Sequence, residues 1–195
     1  MFKVGITGTI GSGKTTVSRI FESLGVPVYY ADQEAKRILD SPLVVDRVSK
    51  TFGFDLHTPE GKIDRQKLAS IVFPDESKLI MLNSIIHPMV KQDFECWQGL
   101  HHDAQYVLHE AAIMLESGFG SYFNRIIVVT APEEIRLQRV VERDKTDLSL
   151  VKQRADKQWT EPEKLKFADF VIQNDNEHLV IPQVIEIHKE ILKLL

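Results

Sequence analysis

The run Gly8-Thr-Ile-Gly-Ser-Gly-Lys-Thr15 constrains this chain more than any other stretch. It satisfies G-x-x-x-x-G-K-[ST], and both flanks have the pattern that motif requires. Before it, Phe2-Lys-Val-Gly-Ile-Thr7 is a short apolar run ending in a small residue, which reads as a buried strand. After it, Val17, Ile20, Phe21 and Leu24 recur at helical spacing. A strand, a glycine-rich turn and a helix N-terminus together make an anion cradle. The glycines let backbone N–H groups of Gly11, Ser12, Gly13, Lys14 and Thr15 turn inward, and the helix adds its orphan donors and the positive end of its dipole. Lys14 is then placed for the β- and γ-phosphates of a nucleotide, and the Thr15 hydroxyl for a Mg²⁺ ion.

A chain of 195 residues, 43% hydrophobic and 27% charged, accommodates one α/β domain with an insertion. A formal net charge of −4 gives no reason to expect a nucleic-acid partner. The single cysteine, Cys96, excludes an internal disulfide and a multi-cysteine metal site, and reads as a small buried side chain. No apolar run reaches the ~20 residues that span a bilayer, so no membrane partner is expected. The chain enters its first strand without a charged-then-apolar leader, so a cytoplasmic setting is expected.

Beyond the first helix, Val26-Pro-Val-Tyr-Tyr-Ala-Asp32 is a second apolar run closed by a carboxylate, and 33–39 reads as a helix. Asp32 suits the N-cap of that helix. It equally suits the carboxyl edge of a parallel sheet, where ligands bind in such folds. Residues 41–103 change character. Helical patterns at 42–50, 65–72, 75–86 and 89–97 surround turn chemistry at Pro59 and Gly61, with a break expected at His87-Pro88. That stretch, lacking a convincing strand, is a helical insertion. Alternation resumes with strands at 105–109, 125–130 and 168–172, a helix opening at Ala131-Pro132, and a closing amphipathic helix over 178–195. The expected organisation is a nucleotide-binding core (1–40, 104–138 and 167–195), a substrate-binding insertion (41–103) and a charged lid (139–166).

What the loop's nucleotide undergoes is narrowed by absent strings. Neither D-x-x-G nor N-K-x-D of a GTPase occurs, nor L-S-G-G-Q of a transporter ATPase, and Tyr106-Val-Leu-His-Glu110 only approximates a Walker-B run. Small size, a helical insertion and an arginine-rich segment are the build of a small-molecule kinase. Phosphoryl transfer needs positioning and charge neutralisation, so Arg139, Arg143 and Arg154 are candidates for a cationic lid. Each of them equally suits a solvated helix face balanced by Glu142, Asp144, Asp147 and Asp156. Asp32 is the candidate base for an acceptor hydroxyl.

These residues, with several more, resemble the dephospho-coenzyme A kinase family over nearly the whole chain. The resemblance rests on the loop, Ala31-Asp32, Ile86-His87-Pro88, Leu115-Glu116, Arg143-Asp144 leading to Arg154 and Gln158, and Ala168-Asp-Phe-Val-Ile-Gln-Asn174. It implies an α/β P-loop kinase core with a parallel five-stranded sheet flanked by helices, a helical substrate domain and a lid. It also implies transfer of the ATP γ-phosphate to the ribose 3′-hydroxyl of dephospho-coenzyme A, with Mg²⁺. On this reading Asp32, Lys14 and Arg143 are catalytic, and residues Gly11 to Thr16 hold the phosphates. Thr7, Asp32, His87 and Glu116 then face the acceptor, although His87 suits a plain His-Pro corner as well. The chain departs from the family pattern at Thr9, where a second glycine is usual. It departs again at 110–116, where Glu-Ala-Ala-Ile-Met-Leu-Glu replaces the usual Asp-x-Pro-Leu-Leu-Phe-Glu, leaving Glu110 without an assigned role. Another small-metabolite or nucleoside monophosphate kinase, and a nucleotide-binding regulator without turnover, are the competing readings.

Overall fold

A computed structural model describes residues 1–195, and the chain divides into two compact units: Met1–Tyr30 with His101–Leu195, and Ala31–Leu100. The first unit is built on a five-stranded sheet of β1 (Phe2–Thr7), β2 (Val28–Tyr30), β3 (Tyr106–Glu110), β4 (Arg125–Thr130) and β5 (Phe170–Gln173). Every pairing is parallel and the spatial order is β2-β3-β1-β4-β5. The chain crosses from one side of β1 to the other between β3 and β4, and the crevice at such a reversal is where an open α/β sheet takes its ligand.

The strand faces follow the period of two. Val4 and Ile6, Tyr106 and Leu108, and Ile127 and Val129 point to one face, where Val17 and Phe21 of α1 (Lys14–Ser23) complete a core. Val184, Ile187 and Ile191 of the closing helix pack into the same core. Each such side chain, fully buried, is worth ~1.5–3 kcal/mol of transfer free energy, which holds α1 rigidly behind the glycine loop. On the other face Gly5 leaves room for Met114, whose sulfur lies 2.5 Å from where a Cβ would stand. His109 there stacks on Tyr29 at 5.4 Å between ring centroids, with Phe119 and Phe123 at 6.0 and 5.1 Å. Its burial pushes the imidazole pKa down to about 3.

The second unit is helical: α2 (Ala31–Leu39), α3 (Pro42–Phe52), α4 (Arg65–Val72) and α5 (Glu76–Leu100). They enclose their own core, including Ile38, Val45, Val48, Leu56, Leu68 and Ile85. Arg37 fastens α2 to α5 through Asp93 at 2.6 Å, and Asp64 caps α4 by accepting from the Lys67 N–H at 3.0 Å. Three expectations change here. The helix does not break at His87-Pro88: α5 is continuous with Pro88 inside it. Pro88 removes one backbone donor, but Ile85 and Ile86 before it and Met89 and Val90 after it share one core, and this packing outweighs the local preference. Asp32 is the second residue of α2, in its first turn, and so is not its N-cap. Cys96 is exposed, because only the Phe94 side of this helical turn faces inward. The second unit begins at Ala31, so α2 belongs with the helices that follow it.

In the first unit, α6 (Glu133–Asp144) and α7 (Leu148–Ala155) are followed by α8 (Glu161–Leu165), and α9 (Val180–Lys193) closes the chain. No helix is long and apolar enough to cross a membrane.

Candidate active site

The glycine loop leaves β1 at the centre of the sheet and ends at Gly13, the residue before α1, with φ +92°. Two of its glycines are required by what surrounds them. A Cβ on Gly11 would collide with the backbone carbonyl of Arg136, and one on Gly13 with the Asn174 side-chain amide. The loop is thus seated directly on neighbouring backbone and side chain. Within it the Ser12 N–H donates to the Thr9 carbonyl at 3.1 Å, and the Val17 N–H to the Gly13 carbonyl at 3.1 Å.

Three side chains from distant parts of the chain fix the loop. Gln158 Oε1 accepts from the Ile10 N–H at 2.8 Å, and Arg136 Nη1 donates to the Ile10 carbonyl at 3.3 Å. Asn174 Nδ2 donates to the Ser12 carbonyl at 2.8 Å. Arg136 is buried and also donates from Nε to the Ala131 carbonyl at 2.9 Å. Arg139 closes the same edge, donating to the Asn174 carbonyl at 2.9 Å and to Asn176 Oδ1 at 2.6 Å. With its outward backbone groups tied down, the loop presents its N–H groups in a fixed arrangement. Lys14, the first residue of α1, is buried at that helix N-terminus, with Thr15 half-buried and Thr16 exposed behind it. The hydroxyls of Thr9 and Ser12 are buried without a hydrogen-bond partner. Burying a polar group in that state costs ~1–3 kcal/mol, which calls for an explanation such as a ligand. Thr9, Arg136, Gln158, Trp159, Thr160 and Glu161 line a cavity of about 480 Å³ beside the loop.

A second cluster ties the segment after β3 to the α8 region. Glu116 Oε1 receives Lys164 Nζ at 2.5 Å and the Trp159 N–H at 3.0 Å. Lys164, fully buried, also donates to the Ala112 carbonyl at 3.0 Å, which the Thr7 hydroxyl approaches at 3.3 Å. Glu116 Oε2 is buried and has no partner. Glu110 is a buried carboxylate at the carboxyl end of β3, in register with Ile6 and Tyr30.

Arg143 lies in the last turn of α6, seven residues and so roughly 10 Å along the helix from Arg136. It grips Asp144 with two bonds of 2.7 and 3.2 Å, and Arg154 of α7 reaches the same carboxylate at 2.7 Å. Arg143 first, then Arg154, holds the Asp144 carboxyl down to about 2. Two guanidinium groups on one carboxylate leave a net positive charge, and both arginines are more than half exposed. Thr7, Gly11 to Thr16, Glu116 and Arg143 therefore all belong to the first unit. Asp32, exposed in α2, and His87, half-buried in α5 with its pKa lowered by burial, belong to the second. Arg136 escaped the sequence reading, although its place beside Leu137 and four residues before Val140 puts it on the buried face of α6.

A parallel sheet reversed at β1, with a lysine-bearing glycine loop running into α1, defines a P-loop kinase fold. The dephospho-CoA kinase family model matches residues 2–179. A dephospho-CoA kinase of Porphyromonas gingivalis is 40% identical over 189 residues, covering 96% of this chain and 93% of that protein. One from Bacteroides fragilis is 38% identical over 186 residues, covering 95% and 90%. The solved dephospho-CoA kinase of Campylobacter jejuni superposes with a TM-score of 0.71 at 33% identity, over 98% of this chain and 97% of that one. The chain belongs to the dephospho-CoA kinase family.

Proposed function

We propose that this protein transfers the ATP γ-phosphate to the ribose 3′-hydroxyl of dephospho-coenzyme A, giving coenzyme A and ADP. The observation that carries this reading is the phosphate loop, tied down from behind at Ile10 and Ser12, in a chain matching the family nearly end to end. Lys14 sits where its charge offsets that of the β- and γ-phosphates, and the loop N–H groups orient them. Residues 139–166 act as the lid. Arg143 leaves Asp144 for the transferred phosphoryl group, and Arg154 keeps the carboxylate neutralised when it does. Asp32 takes the proton of the acceptor hydroxyl. The helical insertion over 41–103, with His87, meets the acceptor, and Thr7 and the second oxygen of Glu116 do so from the core.

A magnesium ion fits the donors present. The Thr15 hydroxyl is a hard oxygen ligand on the first turn of α1, and no group of three His, Cys, Asp or Glu residues forms a cage of its own. This suits an ion that arrives with the nucleotide and keeps most of its waters. Its contribution would be to neutralise charge on the β- and γ-phosphates. The proposed setting is the cytoplasm, with ATP and dephospho-coenzyme A as partners and neither nucleic acid nor membrane.

A panel of acceptors offered with ATP tests the reaction: transfer to a nucleoside monophosphate and none to dephospho-coenzyme A would overturn it. Asp32→Asn tests the base. The substitution is expected to lower kcat by ~10²–10⁴-fold while leaving ATP affinity and the thermal midpoint nearly unchanged. An unaltered kcat removes Asp32 from the mechanism.

A further inference from the structure

Ile10 occupies a position that the loop motif leaves open, yet it is the loop residue most thoroughly bound to the segment after β4. Its N–H is taken by Gln158, just after α7, and its carbonyl by Arg136, in the first turn of α6. Its side chain, 8% exposed, forms one apolar cluster with Leu137 and Val140 of α6 and Val151 of α7. The next residue, Gly11, lies so close to the Arg136 backbone that no side chain fits between them. The two hydrogen bonds serve the loop's own geometry, but holding phosphate does not call for the apolar insertion. An apolar side chain inserted into the stem of the arginine-bearing segment serves a mechanical purpose. Close-packed interiors transmit displacement instead of absorbing it, so a shift of α6 and α7 moves Ile10. Through its two held peptide groups, that motion reaches the N–H donors of Gly11 to Thr15.

We propose that Ile10 is a positioning residue through which the packing of α6 and α7 sets the phosphate loop for ATP. Affinity for the nucleotide and the state of the arginine-bearing segment are then one coupled equilibrium. The inference rests on reading 139–166 as the lid, but it is tested separately. Equilibrium ATP binding reads the coupling, whereas kcat of Arg143→Ala reads the lid.

The experiment uses Val151→Ala, a change in α7 within the Ile10 cluster, alone and combined with Ile10→Ala. ATP binding with Mg²⁺ is measured by calorimetry, and thermal midpoints are recorded alongside. Val151→Ala is expected to weaken ATP binding about fivefold, the low end of ordinary coupling between sites. In the Ile10→Ala background the same change should have less than about a twofold effect, because the connection is already cut. Equal factors in both backgrounds, or no change in ATP binding on Val151→Ala, overturn the proposal. If Ile10→Ala does not fold, Gln158→Leu supplies the test by stripping the acceptor from the Ile10 N–H. It should raise the ATP KM by about tenfold with kcat at saturating ATP held within about twofold. A Gln158→Leu protein with a lowered thermal midpoint and an unchanged ATP KM would show a purely structural bond and overturn the proposal.

Discussion

Lys164→Met separates the two roles open to Glu116, a fastening of the fold and a contact with the acceptor. Lys164 is wholly inaccessible, and burial pulls its pKa below the ordinary lysine value while Glu116 opposes that shift. Methionine matches the length and apolar volume of the lysine stem but brings no charge. Glu116, only 14% exposed at its side chain, would keep its carboxylate with the Trp159 N–H as its remaining donor. Removing one partner of a buried pair costs ~3–5 kcal/mol because the other charge is stranded. In a chain of this size each kcal/mol lowers the midpoint by about 2–4 °C, so a fall of roughly 6–20 °C is expected. Adding Glu116→Gln should restore much of that loss, since the stranded charge disappears. Thermal unfolding of the wild type, both single variants and the double variant at neutral pH makes the measurement, with the acceptor KM taken well below all midpoints. A Lys164→Met midpoint within about 3 °C of the wild type, less than 3 kcal/mol predicts, would refute the energetic reasoning. So would a double variant no more stable than Lys164→Met.

Two other outcomes are expected. Thr9→Val replaces a buried, unpartnered hydroxyl by a methyl of similar shape, and should raise stability by about 1 kcal/mol. If that hydroxyl is kept for the nucleotide, the same variant raises the ATP KM; denaturant titration and steady-state kinetics read both. His109 is buried with its pKa depressed to about 3, so the unfolded chain takes up a proton near pH 6.5 that the folded chain refuses. The stability present above pH 6.5 is therefore lost as pH falls toward 3, by about 1.4 kcal/mol per pH unit from this one group. Replacing His109 by Leu should flatten that part of the profile, and an unchanged slope in the variant would dismiss His109 as its source.

What the sequence made legible is what short-range pattern encodes. The strand at 125–130 is present over Arg125–Thr130, and the helix at 65–72 over Arg65–Val72, because β-branched runs and a capped apolar period specify their elements locally. The glycine loop was equally plain, since its spacing is set by the phosphates it must cradle. Pro88 shows where such reading stops. The break it signals is a cost of one hydrogen bond, and the decision lay with a core assembled from four helices.

That Gln158, Arg136 and Asn174 clamp the loop was hidden for a different reason. They stand 148, 126 and 162 residues from the loop atoms they hold, so no local pattern joins them. A general expectation does point at Arg136. A loop that turns its N–H groups toward a ligand turns its carbonyls away from it, into protein, where each needs a donor. Arginine answers with several N–H groups on one planar head, and here it serves both Ile10 and Ala131 at once. An arginine on the apolar face of the helix after β4 is therefore what a phosphate loop buried from behind requires. The charge that braces the back of this loop is a largely buried one.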